Sequence, residues 1–344
     1  MSAASTPSPR SAVAVGIRRL FAARETGIVI ALVVVIVAAT VINPTFLFTT
    51  DGWRDLLLTP TIAILLAVGE AIVIITRSVD LSVGSVVGLT AYLTGELFIH
   101  FHGIPVVLVF LAGLVAGAVL GLINGALVAF LKVPALVVTL GTLYAYRGAA
   151  VLWVGSSEIT PSQLPNSFLD LGTNSFLTIP YLFVIALVVV LIAGWYLRNK
   201  RSGRELYAIG SDPAAAELYG LRVTRRLLVA FVVSGALAGL AGVFFAARYG
   251  TSDSQTGTGL ELQAVGAAVI GGVAIFGGSG TIYGAAIGAL LLITISRALP
   301  ILGVQDLWQQ AVVGILIIAA IVLDRYLAFR VSRRIKAERE AAHE

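Results

Sequence analysis

Charged and hydrogen-bonding side chains are scarce in this chain, so the few that interrupt its apolar runs are the residues able to do chemistry. Glu70, Glu96 and Arg147 stand inside such runs, where an ionised group is costly unless it is paired or lines a polar path. A Glu70–Arg147 pair within a helix bundle would neutralise both. The alternative is direct contact with a polar solute, for which Asn124, Thr139, Thr142, Tyr144 and Tyr146 offer further donors and acceptors and Trp153 a stacking surface. In TRSVDLSVGS, residues 76–85, Asp80, Ser82 and Gly84 open another apolar run. A carboxylate there favours the free N–H groups of a helix start, pairs with Arg77, or forms part of a gate. Glu261, in Leu260-Glu261-Leu262, opens a later run in the same way.

Several chemistries are excluded by what is missing. There is no cysteine, hence no thiolate or disulfide. No HExxH, no pair of catalytic carboxylates in one run and no nucleophile–base pair is visible, so an enzyme acting within the membrane is not supported. His100 and His102 share a short turn before Pro105 and make a poor metal site. The block from Gly271-Gly272 through Gly277-Gly278-Ser279-Gly280 is not followed by Lys-Ser or Lys-Thr, so it does not cradle a nucleotide. Its glycine density fits close packing, or a broken helix at the membrane edge.

The elements that must position these residues are legible from composition. The chain has 344 residues, 58% hydrophobic and only 12% charged, with repeated apolar runs near the length that crosses a bilayer. That pattern predicts an all-α polytopic membrane protein. A β-barrel would instead show short alternating segments. Ten spans are predicted, at about 27–42, 57–76, 81–101, 105–131, 134–153, 179–197, 227–247, 262–276, 281–299 and 307–323. Residues 1–26 and 324–344 form basic tails around a transmembrane domain at 27–323, which is interrupted by a polar loop at 198–226. The tails, that loop, Lys132 and Arg77 hold 19 of the 23 Lys and Arg residues. The positive-inside rule therefore puts both termini and the loop in the cytoplasm, and the net charge of +5 speaks for the bilayer as partner rather than for nucleic acid.

Within the polar loop, Ser211-Asp212-Pro213 is a good helix start, Ala214 to Tyr219 makes a short helix, and Gly220 is placed to end it. Asp212, Ala215, Ala216, Glu217, Leu218, Tyr219 and Gly220 then form a knob for another protein's groove, or an ordinary solvated loop. A trace of duplication also runs through the chain. Asp80 and Glu261 open the third and eighth spans, and Gly121 and Gly125 resemble Gly284 and Gly288. Two halves of five spans would be inverted relative to each other, with a pathway at their interface.

GRELYAIGSDPAAAELYGLRV resembles the cytoplasmic loop of the membrane subunits of ribose-type ABC importers. TRSVDLSVGS, KVPALVVTLGTLYAYRG (132–148) and TGTGLELQAVGAAVIGGVAIFGGSGTIYGAAIGA (256–289) are similar to three further motifs of that family. The resemblance extends over most of the chain outside the tails. Arg77 and Ser78 stand where many ribose-type members carry two glycines. With QTGTGLEL and LWQQAVVG, this departure leans toward the rhamnose and autoinducer-2 branch. The resemblance implies a permease subunit of the plasma (inner) membrane, without enzyme activity of its own, working with a second permease copy or related subunit. A cytoplasmic ATPase that uses ATP and magnesium would dock at Ala214–Gly220, and an external binding protein would deliver a small sugar-like solute. No cofactor would bind this chain directly. A carrier coupled to an ion gradient, using Glu70, Glu96 and Asp80, is the alternative.

Overall fold

The computed structural model describes residues 24–305, together with 308, 311, 312, 314, 315, 318, 319 and 322. The tails at 1–23 and 323–344, and most of the tenth span, lie outside the described residues. The apolar runs become helices within a few residues of the expected limits. They are α1 (Arg24–Ile42), α4 (Thr61–Ile75), α5 (Val83–His100), α6 (Val106–Ala129), α7 (Ala135–Val154), α9 (Tyr181–Asn199), α12 (Val223–Tyr249), α13 (Leu260–Ile270) and α14 (Ile282–Ala298). Between α1 and α4 lie the short α2 (Thr45–Phe48) and α3 (Thr50–Leu58). Among the described residues, six helical stretches are long and apolar enough to cross a membrane, counting Thr50–Ile75 as one; Thr26–Ile42, α13 and α14 are shorter apolar helices. This is an all-α polytopic membrane protein. Among the described residues one strand pair, β1 (Ser175–Phe176) with β2 (Ile179–Pro180), forms an antiparallel hairpin that follows α8 (Asn166–Thr173).

The centre is α4 against α12, with α5, α6, α13 and α14 around them. Every residue of α4 is buried, Glu70 included, as expected of a helix apolar on all sides at the middle of a bundle. Helices in lipid gain little from burying apolar area against each other and depend on close backbone approach. The α6–α12 contact is built that way. A Cβ on Gly117 would collide with the Gly235 carbonyl, one on Gly235 with the Gly117 carbonyl, and one on Gly239 with the Gly113 carbonyl. Gly271, Gly284 and Gly288 bring α13 and α14 together by the same means.

One helix is shorter than its apolar run. The eighth span, expected at 262–276, is helical only from Leu260 to Ile270. Gly272, Gly277, Gly278 and Gly280 all take positive φ in the turn that follows, a conformation that a helix cannot use. The segment from Thr251 to Gly259, between α12 and α13, is also not helical. It runs beside α5, where Gly257 packs against the Gly84 backbone and Gly88 against the Thr256 carbonyl. Non-helical backbone at membrane depth is tolerated only when protein surrounds it, and glycines on α5 make that room.

Candidate functional site

Three groups of residues converge on the turn between α4 and α5. Glu70, buried in α4, accepts the Asp80 backbone N–H at Oε1 (3.1 Å). Asp80 Oδ1 accepts both the Ser82 N–H (3.0 Å) and the Ser82 hydroxyl (2.7 Å). From α6, Asn124 donates through Nδ2 to Ser82 Oγ (2.7 Å) and more weakly to Asp80 Oδ1 (3.4 Å). The Tyr146 hydroxyl, from α7, donates to the Leu120 carbonyl at 3.0 Å and reaches Asn124 Oδ1 at 3.4 Å. Thr139, also on α7, donates to the Val79 carbonyl (3.1 Å). Glu70, Asp80, Ser82, Asn124, Thr139 and Tyr146 thus form one buried polar cluster tying the turn to α4, α6 and α7. Glu70 Oε2 remains buried without a hydrogen-bond partner.

The Glu70–Arg147 pair is not formed. Glu70 turns to the Asp80 N–H, and Arg147 spends its charge on backbone: its Nη1 donates to the Thr256 carbonyl at 2.6 Å and, at 3.5 Å, to that of Ser254. The physical reason is the broken segment, whose carbonyls have no helical partner and need a donor at depth. Nor does Arg77 pair with Asp80, whose carboxylate is occupied by Ser82 and Asn124. Among the other pathway candidates, Thr142 bonds back to the Thr139 carbonyl of its own helix (3.3 Å). Tyr144 and Trp153 face outward, Trp153 with its ring edge-on to Tyr92 at 5.2 Å. Glu96 is engaged by His100 (3.3 Å). Among the described residues no group of His, Cys, Asp and Glu could hold a metal ion.

The broken segment brings together residues that sequence reasoning passed over. Asp253 accepts the Thr256 hydroxyl (2.9 Å) and the Gln255 N–H (3.0 Å), closing a tight polar turn. Glu158, Asp253, Gln255, Thr256 and Thr258 line a mixed polar and apolar cleft of about 370 Å³ beside it. Glu261 accepts the Gly259 N–H (3.2 Å) and lies against Gly84. The signal was the polar run TSDSQTGTG between two apolar helices, which reads as an outside loop unless Gly257 is taken as a packing position.

At the other end of the bundle the polar loop is two helices, α10 (Arg201–Ser211) and α11 (Pro213–Leu218), the first not foreseen. Asp212 caps α11 by accepting the Ala215 N–H (3.0 Å), and Gly220 stops it at φ +76°. Ala216 is buried, while Leu218 and Tyr219 are 89% and 86% exposed. Glu205 of α10 is clamped by Arg226 (2.7 Å) and Arg201 (3.0 Å); chiefly the Arg226 hydrogen bond, and then Arg201, hold its carboxyl below the usual range. Tyr207 donates to the Gly280 carbonyl (3.1 Å), and burial raises its phenol. Gly210 packs on the Ile75 carbonyl, which accepts the Gly278 N–H (3.0 Å), and Gly278 packs on Ser211. Ser211 thus reaches Ile75 through Gly278, and Ile75 ends the helix that leads into the Asp80 turn.

A bundle of apolar helices with a non-helical segment packed on α5, a buried polar cluster and a capped helix standing free at one end has the features of a membrane permease. Residues 54–321 match the family described as branched-chain amino acid transport system, permease component, and the chain belongs to it. Among its relatives is the autoinducer 2 import system permease protein LsrC of Enterobacter sp. (strain 638), 38% identical over 91% of this chain and 90% of that protein. The proteins of that name from Salmonella paratyphi B (strain ATCC BAA-1250 / SPB7) and Escherichia coli (strain K12 / DH10B) are 39% and 38% identical, each over 81% of this chain and 80% and 81% of their own lengths. No solved structure matches the chain.

Proposed function

We propose that this chain is the permease subunit of an ATP-driven importer for a small sugar-like solute, with autoinducer-2 the favoured cargo and rhamnose, ribose or another pentose the alternatives. The cargo reading is supported by the names of the relatives. An external binding protein delivers the solute, and a second permease subunit completes the pathway. A cytoplasmic ATPase, which binds ATP and magnesium itself, docks on Asp212–Gly220. Both termini and the α10–α11 hairpin face the cytoplasm. Residues 307–323 form a tenth span, and the chain comprises two inverted halves of five. The packing supports that symmetry: α6 on α12 is matched by α14 on α4, and α5 on α12 by α13 on α4.

One observation carries the docking role. Leu218 and Tyr219 stand almost wholly exposed on a capped helix that directly follows Ser211, which packs on Gly278. An apolar pair held away from lipid on a rigid stalk is a surface for a protein groove. A push on α11 passes through Ser211 to Gly278 and Ile75, then to the Asp80 cluster that holds α4, α6 and α7. Asp80, Ser82, Gly84 and Glu261 act as the gate, and Glu70, Asn124, Thr139, Thr142, Tyr146 and Arg147 belong to the pathway or its walls. The test is pull-down of the partner ATPase by Leu218→Asp/Tyr219→Asp. The variant is expected to insert normally and to lose at least tenfold in ATPase binding, about 1.4 kcal/mol; unchanged binding puts the docking site elsewhere. The buried carboxylates Glu70 and Asp80, with no cation beside them, are what favours the ion-coupled carrier as second reading. That reading requires uptake without any ATPase.

A further inference from the structure

The face where α9, α10 and α12 meet carries a slot lined by none of the proposed gate or pathway residues. It holds about 400 Å³, with apolar walls including Ile72, Val189, Ile192, Val233 and Leu237, and it has Tyr196, Ser202 and Arg226 at its mouth. Ser202 and Arg226 also line a second, polar hollow of about 540 Å³, with Lys200, Arg201, Glu205, Arg222 and Arg225. Glu205 is the hollow's single carboxylate, and Arg201 and Arg226 consume it. Arg222 and Arg225 have no acidic partner among the described residues, and Lys200 lies over the Trp195 ring at 4.9 Å. Arginines at the first turn of α12 also oppose its helix dipole, which favours anions there. No side chain caps that helix start, so its N–H groups add to the demand for an anion.

We propose that the slot and hollow bind one anionic phospholipid, its phosphate at Lys200, Arg222 and Arg225 and one acyl chain along the apolar walls between α9 and α12. The pairing of an apolar slot with unspent cations at its mouth fits a headgroup joined to a chain. A protein helix would fill only the slot, and a free anion only the hollow. Basic hollows between membrane helices at the interface recognise anionic headgroups in this way. The proposal rests on the chain lying in a bilayer with this end at the interface, and it does not depend on what the permease carries.

The test uses the full-length chain with Trp53→Phe, Trp153→Phe and Trp308→Phe, leaving Trp195 beside the slot as the only tryptophan. Quenching of Trp195 by phosphatidylglycerol with brominated chains is compared with quenching by brominated phosphatidylcholine in otherwise neutral bilayers. Phosphatidylglycerol is expected to reach half-quenching at a mole fraction lower by about tenfold, with the preference falling as salt rises. Arg222→Gln/Arg225→Gln removes the preference, Arg222→Lys/Arg225→Lys keeps it, and Val233→Phe, which fills the slot, reduces the depth of quenching. Equal quenching by the two lipids overturns the proposal. Loss of the preference on replacing chloride by inorganic phosphate at constant ionic strength assigns the hollow to a free anion and also overturns it. Trp195 shielded from both lipids in a cross-linkable dimer assigns the slot to a second copy, with the same result. Transport is not read, so a failed importer reading leaves this result interpretable.

Discussion

Asp80 shows how much one side chain can hold. Its Oδ1 takes two bonds from Ser82 and a weaker one from Asn124, so Asp80→Ala strands buried donors in a medium that cannot hydrate them. We expect a loss of about 2–3 kcal/mol in unfolding free energy, read as a lower melting temperature in detergent, with Asn124→Ala less costly. Glu205 makes a pH prediction. Its carboxyl is held below the ordinary range by Arg226 and Arg201. The stability it contributes is therefore present above the unfolded-state value near 4.3 and is lost as pH falls through the lower folded-state value. Acid melting curves should show this loss in the natural chain and lack it in Glu205→Gln, which should also be about 1 kcal/mol less stable at neutral pH. Asp80, Ser82 and Asn124 were legible as polar residues in apolar runs that needed a reason. Their meeting was not, because two hydrogen bonds between α6 and a turn more than 40 residues earlier leave no periodic trace. The Glu70–Arg147 pairing failed for the same reason: the competing acceptors are carbonyls, which every residue carries.

At the scale of elements, helix positions followed from apolar runs, because a bilayer demands continuous internal hydrogen bonding over about 20 residues. The departures are glycine effects. α13 stops at Ile270 because glycines beyond it take positive φ, and the connecting residues 251–259, expected only as a loop, pack closely on α5 because its glycines admit their backbone. Gly117→Leu should force α6 and α12 apart, since the side chain meets the Gly235 carbonyl and the Gly239 backbone. We expect about 3 kcal/mol or more of destabilisation and poor membrane yield, whereas Gly141→Leu, with open space at its Cβ, should be nearly silent. α11 was foreseen from Asp212, Pro213 and Gly220 because capping chemistry is local. α10, which seats it, was missed because its amphipathic pattern is mixed with the charges of a polar loop. Asp212→Ala should fray α11 at a cost of about 1 kcal/mol and weaken ATPase binding without touching the exposed apolar pair.

At the scale of the molecule, the fold class was legible from composition alone, whereas the centre of the bundle was not. α4, α6 and α12 are alike in hydropathy, and glycine spacing is what marks the close α6–α12 contact. Orientation can be read directly because the chain has no cysteine. Leu218→Cys should react with a membrane-impermeant maleimide in inside-out vesicles and not in right-side-out ones, and the opposite pattern reverses the topology. The most direct measurement of the central claim is solute uptake into proteoliposomes holding this chain. The account predicts accumulation of autoinducer-2 or a related small sugar only when the partner ATPase, the second permease subunit, the binding protein and ATP are all present. Uptake by this chain alone, driven by a proton or sodium gradient, would contradict it.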